Sequence, residues 1–219
     1  MRPVAMTLAV LALMVLGCAP KEEVKPEDAP PPPPSADELY GRLRQPLDPM
    51  FNAVAANTPF SNQKRTAAVS GVQSAKNGMG PEPNAPEAFK RITRDLEDLI
   101  KRAKDAENWR VVKGGIESYK VFQPAEKRYD DDEEYADLIL ARPTVAVTGF
   151  FVQDGEEIVF LDVTEADSNK TTKYKVREGE DFHEVLQLVR IIGKRESIEM
   201  LYKPVNQTWN VKAPNRSAG

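Results

Sequence analysis

The chain has 219 residues, with 30 Lys and Arg against 34 Asp and Glu and a net charge of −4. That balance provides no basic field, which argues against a nucleic-acid partner held by phosphate contacts. Charged residues make up 29% and the mean hydropathy is −0.50, so the body of the chain is water-facing and long enough for one or two small domains.

The first predicted element is a signal peptide over residues 1–17. One basic residue, Arg2, precedes an apolar run from Pro3 to Gly17. The run is short for a membrane-spanning helix and ends in small residues, the layout of a secretory signal. Val15-Leu16-Gly17-Cys18 resembles a bacterial lipobox, in which the cysteine is acylated and becomes the mature N-terminus. Cys18 is the only cysteine, so an internal disulfide is excluded and Cys18 is the predicted lipidation site. Residues 18–37 then read as a flexible tether. They hold almost no apolar side chains, and Pro30 to Pro34 predict a polyproline II rod.

Residues 38–142 read as helical. Ser35 and Glu38 form a capping-box pattern ahead of Leu39 and Leu43. Leu47, Met50, Phe51 and Val54 predict a short helix interrupted near Pro46 and Pro49, and residues 74–86 predict a breaker-rich loop. The strongest helix signal follows Asn84, read as its cap. Phe89, Ile92, Leu96, Leu99, Ile100 and Ala103 recur on one face. Glu97 with Lys101 and Asp98 with Arg102 are spaced for ion pairs on the other face. Trp109, Val112, Ile116 and Tyr119 predict a further helix, weakened and kinked at Gly114-Gly115 by about 1 kcal/mol per glycine. A short helix over Glu133 to Leu140 is predicted to stop at Arg142, because Pro143 disfavours helix before it. The acidic run Asp130 to Glu134 reads as a solvated charge run.

At Pro143 the apolar period changes from helical to alternating, and residues 143–212 predict a small β-domain. Thr144 to Val152, Glu157 to Val163, Thr172 to Val176, Leu186 to Ile192, Ser197 to Tyr202 and Gln207 to Val211 read as strands, with a tight turn at Asp154-Gly155. The predicted class is α+β: a helical N-terminal region, then a small antiparallel β-barrel or sandwich of five to six strands. A β-domain of about 70 residues is near the lower limit for a stable core, so the helices are expected to pack on it. Residues 213–219 read as a disordered tail.

The β segment has an ordered pattern. A strand opens with Val147-Thr148-Gly149. Tyr174-Lys175-Val176 leads into the turn Gly179-Glu180-Asp181. Ile191-Ile192 and Ile198-Glu199-Met200 follow. This resembles the periplasmic β-domain shared by PilP-type lipoproteins of type IV pilus machines and the homology region of the type II secretion C protein. The resemblance covers roughly residues 144–211. Glu180 stands between the glycine and aspartate that are adjacent in that family. The resemblance implies a periplasmic scaffold, held on the inner membrane by its lipid and binding a secretin or other pilus or secretion subunits. Ala19 after the lipidated cysteine leaves the outer membrane open as the alternative. Sheet edges are the natural docking surface, because their unpaired backbone groups can accept an added strand, so the predicted partner-binding residues are Val145, Val147, Phe150, Phe151, Tyr174 and Trp209, on the first strand and near the last edge. The helix from Phe89 to Ala103 is expected to pack on the barrel or on a partner helix.

His183 is the only histidine, so no zinc site, Ser-His-Asp triad or Cys-His pair is predicted. It reads as a solvated turn residue. Gly114-Gly115 lacks the strand and Lys-Ser/Thr of a phosphate loop, and the acidic run lacks the spacing of a calcium loop. The sequence therefore predicts no enzyme, no cofactor beyond the covalent lipid, and no evident small-molecule substrate. A second reading is an envelope lipoprotein that binds peptidoglycan or a small ligand in a groove with Phe150, Tyr174 and Trp209. That reading loses its groove if Phe150 and Phe151 are both buried.

Overall fold

The computed structural model describes residues 31–214. The signal peptide, Cys18, the tether up to residue 30 and residues 215–219 lie outside the described residues. Among the described residues six α-helices precede seven strands, an α+β arrangement.

Helix α1 (Ala36–Arg44) starts two residues before the predicted boundary. Ser35 Oγ accepts from Glu38 N at 3.2 Å and Glu38 Oε2 accepts from Ser35 N at 2.8 Å, so the capping box is complete. Leu39 and Leu43, one turn apart, are fully buried. Pro46 and Pro49 each fall in the first turn of an element, where their missing N–H costs nothing. They open a 3-10 turn (Gln45–Leu47) and α2 (Asp48–Ala55).

Helix α3 (Asn62–Gly78), capped by Ser61, runs into what the sequence predicts as a loop. The loop proper is residues 79–84. Helix α4 (Ala85–Asp105) buries its predicted stripe, with Phe89 half-buried at its edge. Asn84 makes no side-chain cap bond; its Nδ2 donates to Pro34 O at 2.8 Å, tying the start of α4 to the chain ahead of α1. The predicted ion pairs on α4 are replaced. Glu97 pairs with Arg128 at 2.6 Å, and Arg102 Nε donates to the Asp98 carbonyl.

Helix α5 (Trp109–Phe122) is continuous through Gly114-Gly115, against the predicted kink. Both glycines are contact points. A Cβ on Gly115 would lie 2.9 Å from Ile100 Cγ1 of α4, and one on Gly114 would lie 2.8 Å from Met50 Sδ of α2. Helix α6 (Asp130–Ala141) begins inside the acidic run. The run is therefore more than a solvated face. Its carboxylates sit at the positive end of the helix dipole, where Asp130 and Glu133 hold Lys120 and Asp132 holds Lys104. Arg142, at ψ 124°, leaves the helix ahead of Pro143 as predicted.

The seven strands form two antiparallel sheets. The first holds β1 (Thr144–Gln153), β2 (Glu156–Thr164) and β3 (Thr171–Arg177) in that order. The second holds β4 (Asp181–Phe182), β5 (Leu186–Ile192), β6 (Ser197–Tyr202) and β7 (Gln207–Lys212). Asp154-Gly155 turns β1 into β2 with both residues at positive φ, the geometry a two-residue hairpin needs. Inward residues of both sheets, among them Val145, Val147, Leu161, Val176, Leu188 and Met200, share one core. β1 and β7 approach each other, but among the described residues no ladder joins them. The module is a sandwich and not a closed barrel.

The helices do not depend on the sandwich for their core. Leu39, Leu47, Ile92, Leu96, Leu99, Val112 and Ile116 form a separate buried cluster. The α4 stripe packs on α1 and α5 inside this bundle, and not on the β-module, one of its two expected positions. The bundle meets the sandwich through α6. Tyr202 OH donates to Leu138 O at 3.0 Å, Arg142 Nη1 donates to Gln207 Oε1 at 3.1 Å, and the Arg142 guanidinium lies 4.8 Å from the centre of the Trp209 ring.

Candidate functional site

The six candidate residues of the β-module fall into three regions, of which the first, β1, presents two faces. Val145 and Val147 point into the sandwich, 8% and 6% exposed, so their side chains stabilise the core and cannot meet a partner. Phe150 is half-buried against the same core. Phe151 is 52% exposed on the opposite face; Val152, back on the face of Phe150 near the hairpin turn, is 47% exposed. The inversion has a local cause. A bulge between Val147 and Gly149 puts an extra residue, Thr148, into β1, so the alternation shifts and Phe150 takes the inward phase while Phe151 turns out.

On that outer face Phe151 stands opposite Ile158, and Phe160 stands opposite Gly149. Phe160 is 39% exposed. A Cβ on Gly149 would sit 4.0 Å from Phe160 Cδ2, so the ring lies across a position with no side chain. Cations border these aromatics from β3. Lys175 pairs with Phe160 and Arg177 with Ile158 in register, and Lys175 Nζ reaches across β2 to Gln153 Oε1 at 3.3 Å. β1 is the edge of its sheet, and no strand pairs with its other side among the described residues. Sequence reading missed Phe160, although its phase in Glu157 to Val163 placed it opposite to the core residues Val159 and Leu161.

Tyr174 and His183 form a second cluster. Tyr174 packs on the Phe182 ring at 5.4 Å and meets the His183 ring edge-on at 5.8 Å. His183 is not a solvated turn residue. Its side chain is 15% exposed, its Nε2 bonds the Glu165 carboxylate, and its Nδ1 is covered without a protein partner. The backbone at His183 and Glu184 is left-handed, φ +48° and +47°, which turns the imidazole back onto the loop between β2 and β3. Glu165 and Tyr174 become its partners only where the two sheets pack together, and no local signal in the sequence reveals them.

Trp209 belongs to a third environment, a cleft of about 740 Å³ between bundle and sandwich. One wall is residues 57–60 after α2, residues 106–108 between α4 and α5 with the first two residues of α5, and the last turn of α6. The facing wall is the start of β1, the loop after β2 and Trp209. Trp109 lines it from the bundle side, held edge-on against Tyr135 with ring centres 4.7 Å apart. Phe150, Tyr174 and Trp209 thus share no groove, and the cleft is built around a different set of residues.

Among the described residues no group of three or more His, Cys, Asp or Glu is placed to hold a metal ion, and no helix is long and apolar enough to cross a membrane. Set against protein-family models, curated proteins and solved structures, the chain matches none.

Proposed function

We propose that this chain is a periplasmic scaffold lipoprotein, anchored to a bacterial membrane by lipid on Cys18 and binding subunits of a type IV pilus or type II secretion-like machine through its β-module. The observation that carries the reading is the outer face of the first sheet. Phe151 and Phe160 on that face are two of the three large hydrophobic side chains left exposed among the described residues, and they sit beside an open strand edge. A sandwich that buries twelve other side chains in its core has no folding reason to leave two aromatics of one face in water. Such an edge either pairs with another chain or becomes an aggregation site. Strand addition along β1 with aromatic contacts on its outer face fits a protein partner. The resemblance to PilP-type domains supplies its class. The tether gives the module reach from the membrane, and anchoring raises its effective concentration near membrane partners.

The test is purification of the full chain from its own membranes after mild cross-linking, comparing the parent with Phe151→Asp. Phe151 is exposed, so the substitution leaves the core alone. Pilus or secretion subunits should accompany the parent and be lost with the variant. Recovery of none of these from the parent, or equal recovery from both, refutes the reading.

A further inference from the structure

We propose that the cleft between bundle and sandwich is a carbohydrate site that takes a short oligosaccharide of pyranose units. Its volume of about 740 Å³ is in the range of small-ligand sites, which form preferentially where two structural parts meet.

The lining selects the ligand chemistry. Asn57, Asn62 and Asn169 bring three carboxamides to the rim from three different loops or helix starts. Each carries two donors and an acceptor, which suits a ligand dense in hydroxyl or acetamido groups. All three are exposed and hydrated, and a ligand that covers them has to replace the hydrogen bonds of that water. Charge is balanced: Arg110 and Arg142 line the cleft together with Glu107 and Glu165. A polyanion would meet both carboxylates, so phosphate-rich ligands are disfavoured. What remains is a neutral, polar ligand with enough C–H surface to use aromatic rings. Trp109 and Trp209 provide those rings, one from each wall. A sugar ring has this combination, an apolar C–H face and an equatorial belt of hydroxyls. The Arg142 guanidinium holds one face of the Trp209 ring, which leaves only the rest of that indole to a ligand, and keeps further donors beside it.

Backbone geometry sharpens the site. Asn57, Glu107 and Asn169 all have left-handed backbones, φ +48°, +52° and +54°, and all line the cleft. Asn57 and Glu107 each follow the end of a helix, so two helix exits are turned toward the same space.

The test is direct because the chain has two tryptophans and both line the cleft. The full chain is titrated with chitotriose, cellotriose and maltotriose while both indole N–H resonances and the intrinsic fluorescence are followed, with trialanine as the competing peptide probe. At least one trisaccharide should shift both indole resonances saturably, with a dissociation constant on the order of 1 mM or tighter. The double variant Arg110→Ala with Asn62→Ala, changing two exposed side chains, should weaken that titration about tenfold or more. Lys101→Ala, on the exposed face of α4, should leave it unchanged. No response from either indole to any trisaccharide overturns the proposal. So does trialanine shifting both resonances as strongly as the sugars, or an unchanged titration in the double variant.

Discussion

Gly115 and Gly41 allow one substitution to be read in two environments. Both lie within helices, Gly115 in α5 and Gly41 in α1. Glycine to alanine therefore brings each helix the same intrinsic gain, about 0.5–1 kcal/mol from lost unfolded-state freedom and better propensity. At Gly41 an added Cβ meets nothing within 4 Å, so Gly41→Ala should stabilise by that amount. At Gly115 the Cβ would be 2.9 Å from Ile100 Cγ1. Ile100 is β-branched and 1% exposed, so Cγ1 sits close to its own backbone and cannot swing aside. Leu99 Cδ2, 3.9 Å away, closes the other side. Relief requires α4 and α5 to separate, and overpacking of that kind costs about 1–3 kcal/mol. Subtracting the shared gain leaves Gly115→Ala destabilised by roughly 1 kcal/mol, with a gap between the two variants of about 1–3 kcal/mol. Urea denaturation of both variants and the parent measures this through the midpoint at unchanged slope. For a domain of this size about 1 kcal/mol corresponds to roughly 2–4 °C in Tm. If Gly115→Ala stabilises as much as Gly41→Ala, the close approach of α4 and α5 does not rest on that glycine.

Three further outcomes are expected. Burial raises the phenol pKa of Tyr40, Tyr119, Tyr129 and Tyr202, and the Asp130 and Glu133 carboxylates raise that of the Lys120 ammonium. A raised folded-state pKa gives stability that is complete below the unfolded value and lost as pH rises through the folded one. The urea midpoint should therefore hold up to about pH 10 and fall above it; a midpoint unchanged to about pH 11 contradicts the burial of these phenols. Tyr202→Phe removes the hydrogen bond to Leu138 O across the junction and should cost about 0.5–1.5 kcal/mol, seen in the same urea titration. Cys18→Ser should abolish incorporation of radiolabelled palmitate and move the protein from the membrane to the soluble periplasmic fraction, while palmitate labelling that survives the substitution removes the lipobox from consideration.

Local chemistry made much of the fold legible. Ser35 with Glu38 announces α1, the stripe from Ile92 to Ala103 announces α4, and Pro143 marks the change of period that separates helices from strands. Each signal acts over a few residues, where sequence spacing and spatial spacing coincide. The readings that failed concern partners from elsewhere in the chain. Helix α3 buries only Ala68 and Val72, too narrow a stripe to stand out, and is held by what packs on it. Gly114-Gly115 reads as a weak spot because Met50 and Ile100, which need the space, lie in other helices. Glu97 reads as pairing with Lys101 until Arg128 arrives from beyond α5. Among the candidate site residues, Val145 and Val147 carry the strand pattern that marks a module, and for the same reason they are spent on its core. The bulge that turns Phe151 outward has no strong local signature, so its exposure is visible only in the folded sheet.

The same distinction bears on how the two faces of this molecule can work. The outer face of the first sheet is made by one stretch of chain, Thr144 to Arg177, and would survive a change in the angle between bundle and sandwich. The cleft would not, because its two indoles come from opposite walls. Its geometry rests on a short connection, with α6 ending at Ala141 and β1 starting at Thr144. Pro143 is buried between them and restricts the backbone on both sides. Arg142 is bound to Gln207 and stacked on Trp209, and Tyr202 is bonded back to Leu138. These contacts tie the last turns of α6 to both β6 and β7, so the connection cannot act as a free hinge without breaking a hydrogen bond and uncovering an indole. A partner docking on Phe151 and Phe160 would therefore leave the cleft formed, and occupancy of the cleft would leave the sheet edge open. The two proposed sites are separable, and Phe151→Asp and the Arg110, Asn62 double variant should each weaken one interaction and spare the other.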